Sequence, residues 1–279
     1  MTIAAAFYCT DGVVVCADTS EESTYTKRDQ TKIRQIKNDS ETYVFTGAGD
    51  ADLLEIAIDD IIESRRRRKR KSASEWKAEL KKDAAHIFKD YVQPCAGLED
   101  RAPSMDLIAS VQVDGWISLF RIRENLVRKI KPLEHVAVGF GRVLAVSLMD
   151  QYAKNANLTM DATACLGSYL LERVARYVPR VGGRIDFCKQ GVDGTLIPGS
   201  ATNWQTAIEG LNLTTRSLIH AALEEHDSGF DAATKKLVQQ LSSVRAAFKV
   251  STSLRVFEQF IENIGPSTPS TSRKSRRAR

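Results

Sequence analysis

Residues 2–19 read TIAAAFYCTDGVVVCADT, from Thr2 to Thr19, and the reading of the whole chain turns on this stretch. Residues 3–9 are apolar and partly β-branched, and residues 13–17 repeat that character after Thr10-Asp11-Gly12. A D-G dipeptide between two such runs is the short-range signature of a β-hairpin, because Gly supplies the positive φ that a tight turn needs. Downstream, the polar residues 20–30 read as a loop, residues 32–36 as a short strand and residues 42–46 as another, ending in Gly47-Ala48-Gly49.

Helical periodicity then takes over. Leu53, Leu54, Ile56, Ile58, Ile61 and Ile62 recur at helical spacing behind Asp50, whose carboxylate can cap the first turn. Ser72 or Ser74 opens a second helix running to about Val92, with Trp76, Leu80, Ala84, Ile87 and Tyr91 on its apolar positions. Strands resume over residues 106–113, a turn falls at Asp114-Gly115, and further extended pieces cover 116–122, 127–130 and 135–138. Residues 144–152 and 160–178 form a second helical hairpin, followed by short strands at 184–188 and 195–197. Two sheets packed face to face, each covered by a helical pair, satisfy this order of elements. The expected organisation is therefore an α+β domain over residues 2–200, a helical C-terminal extension over 203–265 and a disordered basic tail over 266–279.

Composition narrows the class. With 43% hydrophobic and 27% charged residues among 279, the chain is ordinary globular material, and its apolar runs are too short to span a bilayer. The N-terminus lacks the basic and apolar regions of a signal peptide, so a soluble, cytoplasmic protein with no membrane partner is expected. Cys9, Cys16, Cys95, Cys165 and Cys188 form no C-x-x-C pair, which fits plain thiols in a reducing compartment. His86, His135, His220 and His226 show no metal-ligand spacing, so neither metal nor cofactor is expected. The run Arg65-Arg66-Arg67-Arg68-Lys69-Arg70-Lys71 and the tail from Arg273 hold much of the net charge of +5. No aromatics interleave with the first run, so a base-stacking nucleic-acid surface is not indicated; a solvated loop or an acidic partner fits it as well.

Position two carries the chemistry. Removal of Met1, favoured before a small residue, leaves Thr2 with a hydroxyl and a free α-amine on one residue. Such an amine has a pKa of about 7.7–8.0 and can serve as base to its own hydroxyl. The stretch from Thr2 to Asp18-Thr19, with Asp18 sixteen positions after Thr2, resembles the opening of proteasome β-type subunits, members of the N-terminal-nucleophile hydrolase superfamily, and their bacterial and archaeal relatives. Lys32-Ile33, Tyr43-Val44-Phe45 and Thr46-Gly47-Ala48-Gly49-Asp50-Ala51-Asp52 extend that resemblance.

The resemblance implies a four-layer α-β-β-α sandwich, assembly into rings and a threonine-type peptidase acting on peptides or proteins in intracellular turnover. It implies Thr2 as nucleophile, Lys32 as the cation that favours the deprotonated hydroxyl, Asp18 as the anchor of that cation, and the backbone N–H of Gly47 as oxyanion donor. Three departures bear on activity. An ungapped count from Asp18 places Arg34, not Lys32, at the family lysine. Phe140, in Val138-Gly139-Phe140-Gly141, stands where active members carry serine. Residues 178–183 lack the Asp and Ser that settle the proton of the threonine amine, with Asp186 the nearest substitute. A catalytically silent ring subunit, and a scaffold binding nucleic acid or an acidic partner through the basic run, are the alternative expectations.

Overall fold

The protein is described by a computed structural model covering residues 2–22, 27–38, 41–67, 75–95, 103–132, 134–152, 158–179 and 181–201. The hairpin expected in the opening stretch is β1 (Ile3–Tyr8) and β2 (Gly12–Asp18), closed by a Cys9 N–H to Gly12 carbonyl bond. Short strands β3 (Ser20–Glu22) and β4 (Lys27–Asp29) follow, then β5 (Arg34–Lys37) and β6 (Glu41–Gly49). Helix α1 (Ala51–Arg67) leads to α2 (Trp76–Ile87), which continues through a π-helical turn, Phe88–Val92. Next come β7 (Met105–Val113), β8 (Trp116–Arg123), β9 (Leu126–Lys129) and β10 (His135–Gly139). Helices α3 (Arg142–Tyr152) and α4 (Met160–Tyr177) precede β11 (Ile185–Gly191) and β12 (Leu196–Ser200). The fold is α+β. Among the described residues it has two antiparallel five-stranded sheets, ordered β10-β1-β2-β11-β12 and β5-β6-β7-β8-β9, and four α-helices.

The alternation of side chains along each strand explains why β1 and β2 are apolar at nearly every position. Ile3, Ala5, Phe7, Val14 and Cys16 pack with α3 and α4 residues such as Ala145, Met149, Leu170 and Val174. The intervening Ala4, Ala6, Val13, Val15 and Ala17 pack instead with Val44, Ala48, Ile108 and Leu119 of the other sheet. A third cluster joins the outer face of that second sheet, through Tyr43, Phe45 and Phe120, to Leu53, Ile61, Trp76 and Leu80 of α1 and α2. Each wholly buried Ile, Leu or Phe contributes about 1.5–3 kcal/mol relative to exposure, so the sheets rest on apolar packing rather than on their charges.

Local signals act where expected at several points. Asp50 accepts from Leu53 N–H at 3.0 Å and starts α1. Asp114 and Gly115 take φ of 49° and 80°, the two positive values of a tight two-residue hairpin turn. Thr159, which the sequence reading left unmarked, caps α4 by accepting from Ala162 N–H at 3.4 Å. Elsewhere the structure differs. Residues 20–30 are not all loop, since β3 and β4 pair there, and β5 begins at Arg34 rather than Lys32. Ser72 and Ser74, the C-terminal extension and the tail lie outside the described residues. Within the basic run, Arg65 is not part of a solvated face. Its guanidinium lies 3.3 Å from the centre of the Trp76 ring and 3.5 Å from a Glu41 carboxylate oxygen, and only Arg66 and Arg67 of the described part are exposed.

Candidate active site

The end of the molecule where β1 starts and β2 finishes gathers the three side chains singled out in the sequence. Lys32, in the segment between β4 and β5, places Nζ 2.9 Å from Thr2 Oγ1 and 2.9 Å from Asp18 Oδ1. Its third contact is the Ser20 carbonyl at 2.5 Å. An ammonium has three donors and no acceptor, so these three oxygens use all of its protons.

Asp18 is completely buried, and its carboxylate is saturated: Oδ1 also accepts from Ile3 N–H at 3.1 Å and Oδ2 from Gly182 N–H at 3.1 Å. Burial pushes the Asp18 carboxyl above its ordinary value, and the Lys32 ammonium with the Gly182 and Ile3 N–H groups opposes that push. A charge pair so far removed from water is a poor source of stability, whereas a perturbed carboxyl beside a cleft is a feature of reactive sites. Arg34, the alternative by ungapped count, is turned elsewhere; it pairs with Asp59 at 2.5 Å on the exposed surface.

Thr2 is fixed through its own carbonyl, which accepts from Phe140 N–H at 3.0 Å. That contact depends on Gly139, whose φ is 101° and where a Cβ would meet the Thr2 carbonyl oxygen at 2.0 Å. The Phe140 side chain is 61% exposed, so the position expected to carry a serine offers the site its backbone and leaves a ring at the rim.

The direction of the Gly47 N–H follows from the sheet. Asn38 N–H donates to Glu41 carbonyl and Asp50 N–H to Ser104 carbonyl, each in register with its ladder. Hydrogen bonding alternates along an antiparallel strand, so odd-numbered residues of β6 point their N–H groups toward β5 and even-numbered ones toward β7. The β5 ladder ends at Arg34 opposite Phe45, two residues short of Gly47. The Gly47 N–H is thus directed to the uncovered edge beside Lys32. A Cβ at Gly47 would meet a Leu54 methyl at 2.8 Å, so the glycine also eases the packing of α1 on this strand.

Thr2, Lys32 and Gly47 open onto a cavity of about 1130 Å³ bounded by α1, the start of α3 and the ends of β6 and β7. Thr46 also lines it, and its buried hydroxyl has no hydrogen-bond partner among the described residues. Asp186, the nearest substitute for the missing Asp and Ser, is bonded on another side. Its carboxylate is engaged by Thr31 Oγ1 at 2.9 Å and by Arg184 Nε at 2.7 Å. Burial pushes the Cys9 and Cys188 thiols up to about 12, which leaves them without appreciable thiolate. His86 and His135 pair with Asp90 and Asp150, away from the cavity. Among the described residues no group of three or more His, Cys, Asp or Glu is placed to hold a metal ion.

Sequence reasoning missed the Ser20 carbonyl, the Phe140, Ile3 and Gly182 N–H groups and the Thr31–Asp186 bond. The first four are backbone groups, which any residue supplies; only the Gly182-Gly183 pair marked a place where the chain could turn in on the site.

No family model and no curated protein sequence matches the chain. Solved structures do. Anbu from Yersinia bercovieri, described as an ancestral beta-subunit, has a TM-score of 0.64 at 12% identity, covering 78% of this chain and 97% of its own. Anbu from Pseudomonas aeruginosa, solved as a helical assembly of the Anbu complex, gives 0.63 at 15% identity, with coverages of 80% and 96%. A mutant Anbu from Hyphomicrobium sp. strain MC1 gives 0.61 at 14% identity, with coverages of 91% and 99%. At such identities the likeness establishes a shared fold. It also corrects the family resemblance drawn from residues 2–62: these structures are Anbu proteins, not proteasome β-type subunits. The hairpin and glycine turn that carried that resemblance mark β1, β2 and the β6–α1 junction, features of the fold and not of one family. Among the described residues no helix is long and apolar enough to cross a membrane.

Proposed function

We propose that this chain is an Anbu-like subunit that cleaves amide bonds of peptides or proteins with Thr2 as its nucleophile. The observation that carries the reading is the position of Lys32 Nζ, 2.9 Å from both Thr2 Oγ1 and Asp18 Oδ1. An ammonium that donates to the threonine oxygen favours its alkoxide, and with all three protons engaged it is an electrostatic stabiliser rather than a base. The Thr2 α-amine, freed by removal of Met1, takes the hydroxyl proton as Oγ1 attacks the carbonyl carbon. The Gly47 N–H stabilises the oxyanion, a contribution of about 2.7–4 kcal/mol for donors of this kind. The amine then passes its proton to the leaving nitrogen, an ester on Thr2 remains, and water activated by the same amine releases the acid. Asp18 holds Lys32 in place throughout.

The same reading includes a four-layer α-β-β-α stacking, supported by the three apolar clusters, oligomeric assembly in the manner of the helical Anbu complex, and work in the cytoplasm on protein turnover. It is tested with fluorogenic peptide amides: wild type hydrolyses them, and Thr2→Ala of unchanged fold does not. Equal activity in the two proteins rules Thr2 out. A silent subunit is the second reading, favoured by Phe140 at the rim and by the engagement of Asp186 elsewhere; hydrolysis absent from wild type selects it.

A further inference from the structure

Lys32 lies between two strands, so no sheet ladder fixes it, yet its Nζ must sit within hydrogen-bond reach of Thr2 and Asp18 at once. Two contacts hold the segment on either side of the ammonium's own bonds. Gln30 N–H donates to the Thr19 carbonyl at 2.9 Å, and Thr31 Oγ1 donates to Asp186 Oδ2 at 2.9 Å. Asp186 is 7% exposed and lies on β11 directly opposite Ala17, the residue before Asp18 on β2. Its carboxylate is itself clamped by Arg184, Nε to Oδ1 at 2.7 Å and Nη2 to Oδ2 at 3.3 Å. Arg184 in turn is docked on β2, its N–H donating to Thr19 Oγ1 at 2.8 Å. The turn before it approaches closely enough that a Cβ on Gly183, at φ 78°, would meet Thr19 Oγ1 at 2.7 Å.

We infer that Asp186, through Thr31, is a positioning residue for Lys32. The carboxylate springs from the strand beside Asp18 and ends on the residue beside Lys32, so one bond spans the two halves of the ion pair. Asp186 does not line the cavity and makes no contact with Thr2 among the bonds described, which separates this role from any part in chemistry. The significance of the brace for activity rests on the reading of Thr2 as nucleophile; the placement of Lys32 does not.

The test compares Thr31→Val, Thr31→Ser, Asp186→Ala, Asp186→Asn and the Thr31→Val/Asp186→Ala double variant, each confirmed folded by circular dichroism. Two rates are read by mass spectrometry of digests at fixed pH: acetylation of Lys32 by acetic anhydride and acylation of Thr2 by a β-lactone. Loss of one hydrogen bond of ordinary worth predicts Lys32 acetylation faster, and Thr2 acylation slower, by about three- to tenfold in Thr31→Val and Asp186→Ala. The double variant is no worse than Asp186→Ala, because both changes remove the same bond. Thr31→Ser and Asp186→Asn, which keep a hydroxyl donor and an oxygen acceptor, stay near wild type. Unchanged Lys32 acetylation in Thr31→Val, or effects that simply multiply in the double variant, overturn the inference. Should Asp186→Ala fail to fold, Thr31→Val at its exposed position decides alone. A wild-type Thr2 that resists the β-lactone sinks the nucleophile reading, while Lys32 acetylation still decides the brace.

Discussion

Two polar clusters tie the sheets together at opposite ends of β2 and β11, and they are built differently. Ile185 pairs with Asp18 at one end of that ladder and Gln190 with Val13 near the other, five residues or roughly 17 Å away. At the far end the cluster is neutral. Gln190 Nε2 donates to the Thr42 carbonyl and hydroxyl, both at 2.9 Å, Ser110 Oγ donates to Gln190 Oε1, and Gln112 Nε2 donates to the Val192 carbonyl at 3.1 Å. At the near end it is charged: Lys32, leading into the second sheet, meets Asp18 and Thr2 of the first. The neutral network satisfies buried amides and hydroxyls among themselves and fixes one sheet against the other. The charged one carries a desolvation cost that its Coulombic attraction repays only in part, and it borders a cavity. One is cement; the other, on the proposed reading, holds its arrangement for a reaction.

That contrast is breakable. The largest expected effect is at the charged end: Thr2→Ala lowers acylation by more than about a thousandfold and leaves the unfolding midpoint unchanged, since nucleophile removal in comparable sites costs at least this much. Lys32→Ala follows, with a loss of about a hundredfold, checked by the rate of β-lactone labelling under saturating reagent. If Lys32→Ala labels at the wild-type rate, the ammonium is mere packing and the contrast collapses.

Asp18 gives a pH test. Its carboxyl lies above its ordinary value because of burial, so it takes up a proton, and releases Lys32, at a higher pH than a solvated aspartate would. Labelling of Thr2 therefore falls on acidification with an apparent pKa above the usual carboxylate range, and Asp18→Asn, slower by about tenfold or more, lacks that acid limb. The sign for stability is opposite: a raised folded-state value contributes stability present below the unfolded value and lost as pH rises through the folded one, which denaturant titrations across that window measure. An acid limb unchanged in Asp18→Asn assigns it to another group.

Smaller effects belong to the neutral end. Gln190→Leu takes the acceptor from the buried Ser110 hydroxyl and one donor from Thr42, and costs about 1–3 kcal/mol in urea unfolding, with labelling within twofold of wild type. A large loss of labelling there shows that the two ends are coupled. Smallest is Arg34→Ala, expected to change labelling by less than about threefold, because its partner Asp59 is an exposed surface carboxylate.

Much of this was legible before any coordinates. The hairpin of residues 2–19 and the order of strands and helical pairs lay open because apolar periodicity and D-G turns are local signals. Thr2, Asp18 and Lys32 were legible as residue types, and so was the doubt about Phe140. What the sequence hid is backbone and register. Lys32 reads as strand because Lys32–Ile33–Arg34 alternates, yet the chain between β4 and β5 is held by bonds to Thr19, Ser20 and Asp186, each distant in sequence or supplied by backbone. The strand pair β3–β4 hid because residues 20–30 are almost wholly polar and carry no apolar alternation. Gly47 and Gly139 were visible as glycines, but only the structure shows the Leu54 methyl beside the first and the Thr2 carbonyl that requires the second.

The central claim meets its most direct test in the intact mass of the purified protein with and without a β-lactone. The account predicts loss of Met1 and a single adduct that digestion localises to Thr2. Retention of Met1, or a free Thr2 that stays unlabelled, contradicts it.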